Sequence, residues 1–384
     1  MLLEIGEPAP PHQLSAHQQL RSTISEADRL IRAEGMADDS IRWMNVVVLS
    51  HGIDAPLGNT DRDMHYIADR LRDIPDFDLI IDAEDNHGRT REGIDVCGKR
   101  LAAEVIEVLE YQKKHVHFRL SLIGHSLGGL IIRSCLKHLY EKESTWSRIV
   151  PVSYMSLTTP HLGVRRPTGL FNYFIDFVAR LWYNGRTKLV LEDQDETGIP
   201  LLFRMSDPDG PYMKALASFS HRYLFAITQN DIVVPYCSAS MSSHNPYAVQ
   251  SKPLSHRIIG HSGFPKHLSG GEHLSSVDEA GHCPLSALSA LPGFERAEDI
   301  DRSFRQHDPH YELEYSPRMV LELNSLHWRR VDLEFNGHFS HDFVIRKATI
   351  PFVVDANEAG EFAAQKFLGL LQHDHEEARA EKRE

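Results

Sequence analysis

The sequence has few cysteines, and they form no recognisable pairing pattern. Only four occur among 384 residues (Cys97, Cys135, Cys237 and Cys283), and no two of them make a CxxC motif. This pattern argues against a secreted domain held together by disulfides and favours free thiols in a reducing compartment.

Long apolar runs and an excess of positive charge are also lacking. No stretch reaches the roughly 20 apolar residues that a membrane-spanning helix needs. Residues 1–11 carry prolines and glutamates where a secretory signal would be apolar. The formal net charge of −13 argues against a nucleic-acid partner. We therefore expect a cytoplasmic protein, and peripheral contact with membranes or lipid droplets stays open.

Apolar segments of two kinds alternate along the chain. Short continuous apolar runs, typical of strands buried on both faces, occur at residues 45–49, 78–82, 118–123, 149–157, 223–227 and 331–335. Between the earlier runs, apolar residues recur at helical spacing at 64–71, 101–109 and 127–139. This alternation predicts an α/β fold with a mostly parallel central sheet and helices on both faces.

Changes in composition divide the chain around this core. We predict a polar N-terminal arm at 1–40, a core at 41–241 with a candidate lid at 164–200, an irregular insertion rich in His, Ser, Gly and Pro at 242–315, the end of the core at 316–372, and a charged tail at 373–384. Many apolar side chains lie within 167–182. They fit either a lid that contacts lipid or an ordinary helix packed on the core.

Ser126 is the candidate nucleophile, at the centre of a G-x-S-x-G motif that spans Gly124 to Gly128. In such a motif the serine lies on a sharp turn from strand to helix, and small neighbours prevent clashes. The motif alone is weak, since a glycine-rich turn with a buried serine has the same pattern. Here a predicted strand precedes the serine and a predicted helix follows it, which favours the catalytic interpretation.

A serine hydroxyl needs a base, which in turn needs a carboxylate to orient it. Asp231 is the candidate acid because it lies in the segment Thr228 to Asp231 that follows the predicted strand at 223–227, and it comes after Ser126 in the chain. It could instead be a turn aspartate, since Asn-Asp pairs favour turns. Asp207 and Asp209 are the reserve candidates.

The base should come after the acid in the chain, which leaves three histidines, His327, His338 and His341. His125 adjoins the serine, but its side chain is expected to point away from it, and His161 precedes Asp231. The alternative for each candidate is a surface or structural role, which most of the 24 histidines will have.

Two backbone N–H groups are the candidate oxyanion hole. Leu127 follows the nucleophile and supplies one of them, and Ile53, after the predicted first strand and His51-Gly52, supplies the other. The alternative for the second is a plain glycine turn at a strand end. No cofactor or metal is predicted, because His261, His267, His273, His282 and Cys283 fit no metal-ligand spacing.

Several segments together resemble the putative serine esterase (lipase-like) domain family of the α/β-hydrolase superfamily. The resemblance covers about residues 43–240 and 317–347, and it is carried by Leu49 to Ile53, Thr90 with Gly93-Ile94, Gly98 to Val105, Leu122 to Ile131, Leu157 to Gly163, Asn230-Asp231 with Val234-Pro235, and Ser340 to Ile345. It implies an α/β-hydrolase fold and hydrolysis of carboxylic esters, usually lipid acyl esters. It also favours His341 over His338 as the base. The His-rich insertion at 242–315 departs from the family pattern.

The leading hypothesis is a serine esterase or lipase that forms an acyl-enzyme on Ser126, with a lipid or small ester as substrate. Two alternatives stay open. The same residues could transfer the acyl group to an alcohol other than water, or the fold could serve a non-catalytic interaction protein.

Overall fold

The computed structural model describes residues 41–53, 64–164, 199–242, 245–247, 256–265, 317–336, 340–346 and 356–381. The predicted N-terminal arm lies outside these residues. So does nearly all of the predicted lid, including the apolar segment 167–182.

A seven-stranded sheet forms the centre of the fold. Its strands are β1 (Arg42–Ser50), β2 (Leu79–Asp82), β3 (Val116–His125), β4 (Ile149–Leu157), β5 (His221–Ile227), β6 (Arg257–Ser262) and β7 (Arg329–Glu334). They lie in the order β2-β1-β3-β4-β5-β7-β6, and the pairing is parallel everywhere except between β6 and β7. The prediction of a mostly parallel sheet is confirmed.

Helices cover both faces of the sheet because the strands are apolar on both. The described helices are α1 (His65–Arg72), α2 (Ile94–Tyr111), α3 (Leu127–Glu141), α4 (Glu143–Trp146), α5 (Leu201–Ser206), α6 (Pro211–Ala217), α7 (Tyr236–Ser240), α8 (Pro317–Leu323) and α9 (Ala356–Ala380). Along β1, Val46 and Val48 share a core cluster with α2 and α3, whereas Val47 and Leu49 share one with α1 and α9. The chain has the predicted α/β-hydrolase fold.

The order of the strands fixes where a site can form. After β1 the chain first adds β2 on one side and then returns to add β3 on the other, so the direction of the connections reverses at β1. Ligands of open α/β sheets bind beyond the carboxyl ends of the strands at such a reversal. Ser50, which ends β1, is in register with Gly124 near the end of β3. The loops that follow both strands therefore start side by side.

Two features of the predicted division of the chain are wrong. The segment 242–315 was expected to be irregular, yet β6 lies within it and pairs with β7 as the antiparallel edge strand. The core was expected to end at residue 372 before a charged tail, yet α9 continues to Ala380. Asp374 and His375 are fully buried in it, because polar groups on the sheet bind both side chains. Within the described residues, no helix is long and apolar enough to cross a membrane.

Candidate active site

Ser126 lies on the sharp turn between β3 and α3. Its backbone has φ 53° and ψ −125°, an uncommon conformation for a residue with a side chain. The turn is held in place because the Ser126 N–H donates a 2.8 Å hydrogen bond to the carbonyl of Leu157, at the end of β4. At Gly128, a Cβ atom would lie 2.1 Å from the carbonyl oxygen of Ser50. Glycine is therefore required there for α3 to start so close to β1.

A chain of two hydrogen bonds connects Ser126, His341 and Asp231. The Nε2 atom of His341 lies 2.8 Å from Ser126 Oγ, and its Nδ1 atom lies 2.8 Å from Asp231 Oδ2. Because an ionised carboxylate can only accept, Nδ1 carries the proton, and Nε2 is free to accept the serine hydroxyl. The three side chains come from three separate parts of the chain, and all are buried.

Local structure holds the carboxylate of Asp231. It lies in the turn that follows β5, in which Asn230 has a positive φ of 66°. Asp231 Oδ1 accepts the N–H groups of Val233 and Val234 at 2.9 and 2.8 Å, which leaves Oδ2 facing His341. The Ser340 N–H donates to the carbonyl of Asn230, so the segment before His341 is fixed to the same turn.

The electrostatic surroundings of His341 suit a base. Its burial lowers the pKa of the imidazole, but the charge and hydrogen bond of Asp231, with the charge of Asp342, outweigh this effect. The pKa of His341 is therefore raised above its ordinary value. The imidazolium form is stabilised where it would have to appear during proton transfer from the serine.

His125 contacts the segment that carries His341. Its ring lies against the His341 ring, with 5.1 Å between the centroids. Its Nε2 atom lies 3.4 Å from the His341 carbonyl oxygen and 3.8 Å from Asp342 Oδ1. The sequence predicted only that this side chain would point away from Ser126, and its contact with His341 was missed. No local pattern indicates a contact between residues 216 positions apart.

The turn that follows β1 packs on Ser126. A Cβ atom at Gly52 would lie 3.0 Å from the Cβ of Ser126, so the backbone on either side of Gly52 is close to the serine. Ile53 is the next residue and is partly buried. Leu127 is the first residue of α3, where N–H groups have no acceptor within the helix. Ile53, on the loop after β1, and Leu127, at the start of α3, therefore both lie close to Ser126.

The other candidate acids and bases lie away from Ser126 or outside the described residues. Asp207 caps a turn between α5 and α6, where its Oδ1 accepts the Asp209 N–H. His327 precedes β7, at the opposite end of the sheet from the Ser126 loop. His161 is buried between Ser156 and Arg133, and burial together with the Arg133 charge lowers its pKa well below the ordinary value.

Two further predictions concern residues that lie wholly or mostly outside the described part of the chain. His338, the alternative base, lies outside the described residues. Of the histidines and the cysteine considered for a metal, His261 lies buried in β6, and the other four lie outside the described residues.

Comparison with known families identifies the family of this chain. The family model described as "Putative serine esterase" matches residues 41–244, which is more than half of the chain. The chain belongs to this family. The resemblance that the sequence motifs indicated is thereby confirmed, and the matched region contains Ile53, Ser126, Leu127 and Asp231.

Individual members and structures are more distant. A protein of Schizosaccharomyces pombe named "Putative lipase C4A8.10" is 26% identical over 239 residues, which cover 59% of this chain and 29% of that protein. The "Putative lipase ROG1" of Saccharomyces cerevisiae is 28% identical over 205 residues, covering 51% and 28%. The chain thus spans less than a third of the length of these two relatives. Among solved structures, Aspergillus fumigatus lipase B matches with 13% identity and a TM-score of 0.34, over 83% of this chain and 71% of that one.

Proposed function

We propose that the protein is a serine hydrolase that cleaves carboxylic acyl esters through an acyl-enzyme on Ser126. The observation that carries this proposal is the pair of 2.8 Å contacts that join Ser126 Oγ to His341 and His341 to Asp231. A nucleophile, a base and an orienting carboxylate in this geometry are the arrangement that activates a serine hydroxyl.

In the proposed first half-reaction, Ser126 Oγ attacks the ester carbonyl while His341 Nε2 takes the hydroxyl proton. The resulting tetrahedral oxyanion accepts hydrogen bonds from the N–H groups of Leu127 and Ile53, and each such bond contributes about 3 kcal/mol to lowering the barrier. His341 then donates its proton to the leaving alcohol, and an acyl-serine remains.

In the second half-reaction, water takes the place of the alcohol. His341 removes a proton from the water as its oxygen attacks the acyl-serine. The tetrahedral intermediate then breaks the bond to Ser126 Oγ, His341 returns the proton to that oxygen, and the carboxylic acid and free Ser126 are formed. Asp231 keeps the imidazole in the required tautomer and stabilises the imidazolium in both halves. An alcohol in place of water in this step would make the protein an acyltransferase, which the assay below distinguishes.

Lipid esters are the proposed substrate class. Support comes from the relatives, which are named as lipases, and from the apolar composition of residues 167–182. A cytoplasmic protein that contacts a membrane or lipid droplet peripherally through that segment would reach such substrates.

A fluorophosphonate probe and a series of p-nitrophenyl esters test the proposal. We expect wild-type protein to be labelled and to hydrolyse the esters, and Ser126→Ala to do neither. If wild-type protein is neither labelled nor active, the enzyme hypothesis is rejected and a non-catalytic role is left. A peak of activity on short acyl chains would reject lipid esters but keep an esterase. Ester product that forms with added alcohol faster than free acid would favour acyl transfer.

A further inference from the structure

A second cluster of ionisable side chains lies where α9 packs on the sheet. His221 is the first residue of β5, and Asp374 and Glu377 lie one turn apart on α9. Since Ser126 follows the carboxyl end of a parallel strand, this cluster lies towards the opposite end of the sheet. The mechanism proposed above uses none of these residues.

The potential ligand atoms of the three residues converge. His221 Nε2 lies 3.3 Å from Glu377 Oε2 and 3.5 Å from Asp374 Oδ1, and all three atoms are within 4.8 Å of one another. Ligands that share one tetrahedral zinc ion at about 2.0–2.2 Å are about 3.4 Å apart. The two nitrogen–oxygen separations are therefore those of neighbouring ligands on such an ion.

Hydrogen bonding does not explain the convergence. In the part of the chain that the structure describes, neither carboxylate lies where a His221 ring N–H could donate to it, despite the short separations. The charged groups within 4 Å of the Glu377 carboxylate there are two imidazoles, that of His221 and that of His373 at 3.6 Å. Arg329 pairs with Asp374, but among the described residues no Lys or Arg lies within 4 Å of the Glu377 carboxylate.

From this geometry we propose that His221, Asp374 and Glu377 bind one zinc ion and that water occupies its fourth position. One imidazole and two carboxylates are a ligand set that zinc accepts in proteins. The His221 side chain is 14% exposed and that of Glu377 is 40% exposed, so an ion can enter from solvent. The sequence predicted no metal here, because the ligands are separated by about 150 residues and match no local motif.

The groups around the carboxylates resemble the outer shell of a metal site. Ser153 Oγ donates to Asp374 Oδ2 at 2.6 Å, and the Tyr223 hydroxyl lies 2.8 Å from both carboxylate oxygens. Arg329 also lies 3.2 Å from Oδ1. Ligand carboxylates in metalloproteins are commonly oriented by such hydrogen bonds. His373 lies beside Oε1 of Glu377, and can orient the second carboxylate in the same way.

A zinc ion in this position would join the C-terminal helix to β5. The site exists only when α9 is docked, so binding stabilises the folded state in proportion to the free metal concentration. Because the ion would lie towards the opposite end of the sheet from Ser126, ester hydrolysis should not require it.

The test compares zinc binding to full-length wild type, Glu377→Gln and Glu376→Gln after treatment with EDTA. Glu376 is the matched control, since it is exposed on the same helix next to Glu377. We expect isothermal titration to show one site in wild type and Glu376→Gln that is weakened at least about tenfold in Glu377→Gln. Zinc should raise Tm in the first two proteins and much less in the third.

Cobalt provides a second, spectroscopic readout of the same site. Bound to wild type, Co²⁺ should give the intense visible absorption of a tetrahedral site, and His221→Asn should lose it. If wild type binds no zinc, or if Glu377→Gln and His221→Asn bind it as tightly as Glu376→Gln does, the proposal is wrong. In that case the three side chains form an ordinary polar cluster.

Discussion

The Nε2 atom of His125 lies 3.4 Å from the carbonyl oxygen of His341, so the residue before the candidate nucleophile contacts the backbone of the candidate base. The contact joins the end of β3 to the short 3₁₀ helix Ser340–Ile345. It adds to the contact between His341 and Ser126 themselves and to the hydrogen bond from the Ser340 N–H to Asn230.

His125 should therefore position the base without taking part in proton transfer. We expect His125→Leu to slow acylation by about 10–100-fold, because small displacements of a catalytic group have effects of that size. The KM for a short ester should change little. Rates of fluorophosphonate labelling, which report the reactivity of Ser126 directly, measure the effect. His125→Gln, which keeps a side-chain donor, should recover part of the rate, and equal losses in both variants would contradict this role.

Replacement of the two remaining candidate bases should distinguish them. His341→Ala should lower kcat by at least about 10⁴-fold, since a serine without its base loses most of its activation. His338→Ala should retain near wild-type kcat. Steady-state hydrolysis of p-nitrophenyl butyrate measures both variants, and the reverse pattern would assign the base to His338.

The charge of Asp342 should set the pH at which activity falls. His341 must be neutral to accept a proton, so activity is lost as the pH falls through its pKa, which is raised. Asp342→Asn removes one of the charges that raise this pKa, so the inflection in kcat/KM should move to lower pH. Asp209→Asn, an exposed turn residue, is the control. An inflection that stays in place in Asp342→Asn would show that Asp342 has no such effect.

A methyl group at position 52 should displace the turn that carries Ile53, the second candidate residue of the oxyanion hole. The added Cβ would lie 3.0 Å from the Cβ of Ser126, so the turn that carries Ile53 must move away. We expect Gly52→Ala to reduce kcat by about 10²-fold, the loss associated with one misplaced oxyanion donor. Gly210→Ala adds the same group at the start of α6 and should keep normal activity. Normal kcat in Gly52→Ala would remove Ile53 from the oxyanion hole.

Deletion of residues 373–384 should destabilise the protein even without metal. The deletion removes Asp374, which is fully buried and paired with Arg329, and leaves that guanidinium without a carboxylate there. Breaking a buried pair in this way costs about 3–5 kcal/mol. Urea unfolding in EDTA, followed by circular dichroism, measures the loss. A chain that ends after Ala380 keeps the pair and should unfold as wild type does.

The local parts of the fold and site could be predicted from sequence. β1 and β3 are continuous apolar runs. Ser126 directly follows β3 and Asp231 lies in the turn after β5, so short-range patterns were enough to place them. The role of His341 could not be deduced from spacing alone, because it depends on contacts across 110 and 215 residues. The family resemblance, not the pattern of residues, favoured it over His338.

The incorrect boundaries have a common physical cause. The end of α9 is rich in charged residues and so has the composition of a tail exposed to solvent. Inside the protein, however, Tyr223, Ser153 and Arg329 donate hydrogen bonds to the Asp374 carboxylate in place of water. β6 was missed because it contains a glycine and a histidine within a Ser- and Gly-rich region. Propensity and periodicity do not reveal a polar group whose partners come from distant strands.

The distribution of Ser126, Asp231 and His341 over three distant segments has a consequence for the nascent chain. A chain that ends before residue 341 lacks the imidazole that lies 2.8 Å from Ser126 Oγ. A partly synthesised or misfolded chain thus carries an unactivated hydroxyl. Under the proposed mechanism, Ser126 gains the ability to form an acyl-enzyme only once His341 has docked beside it.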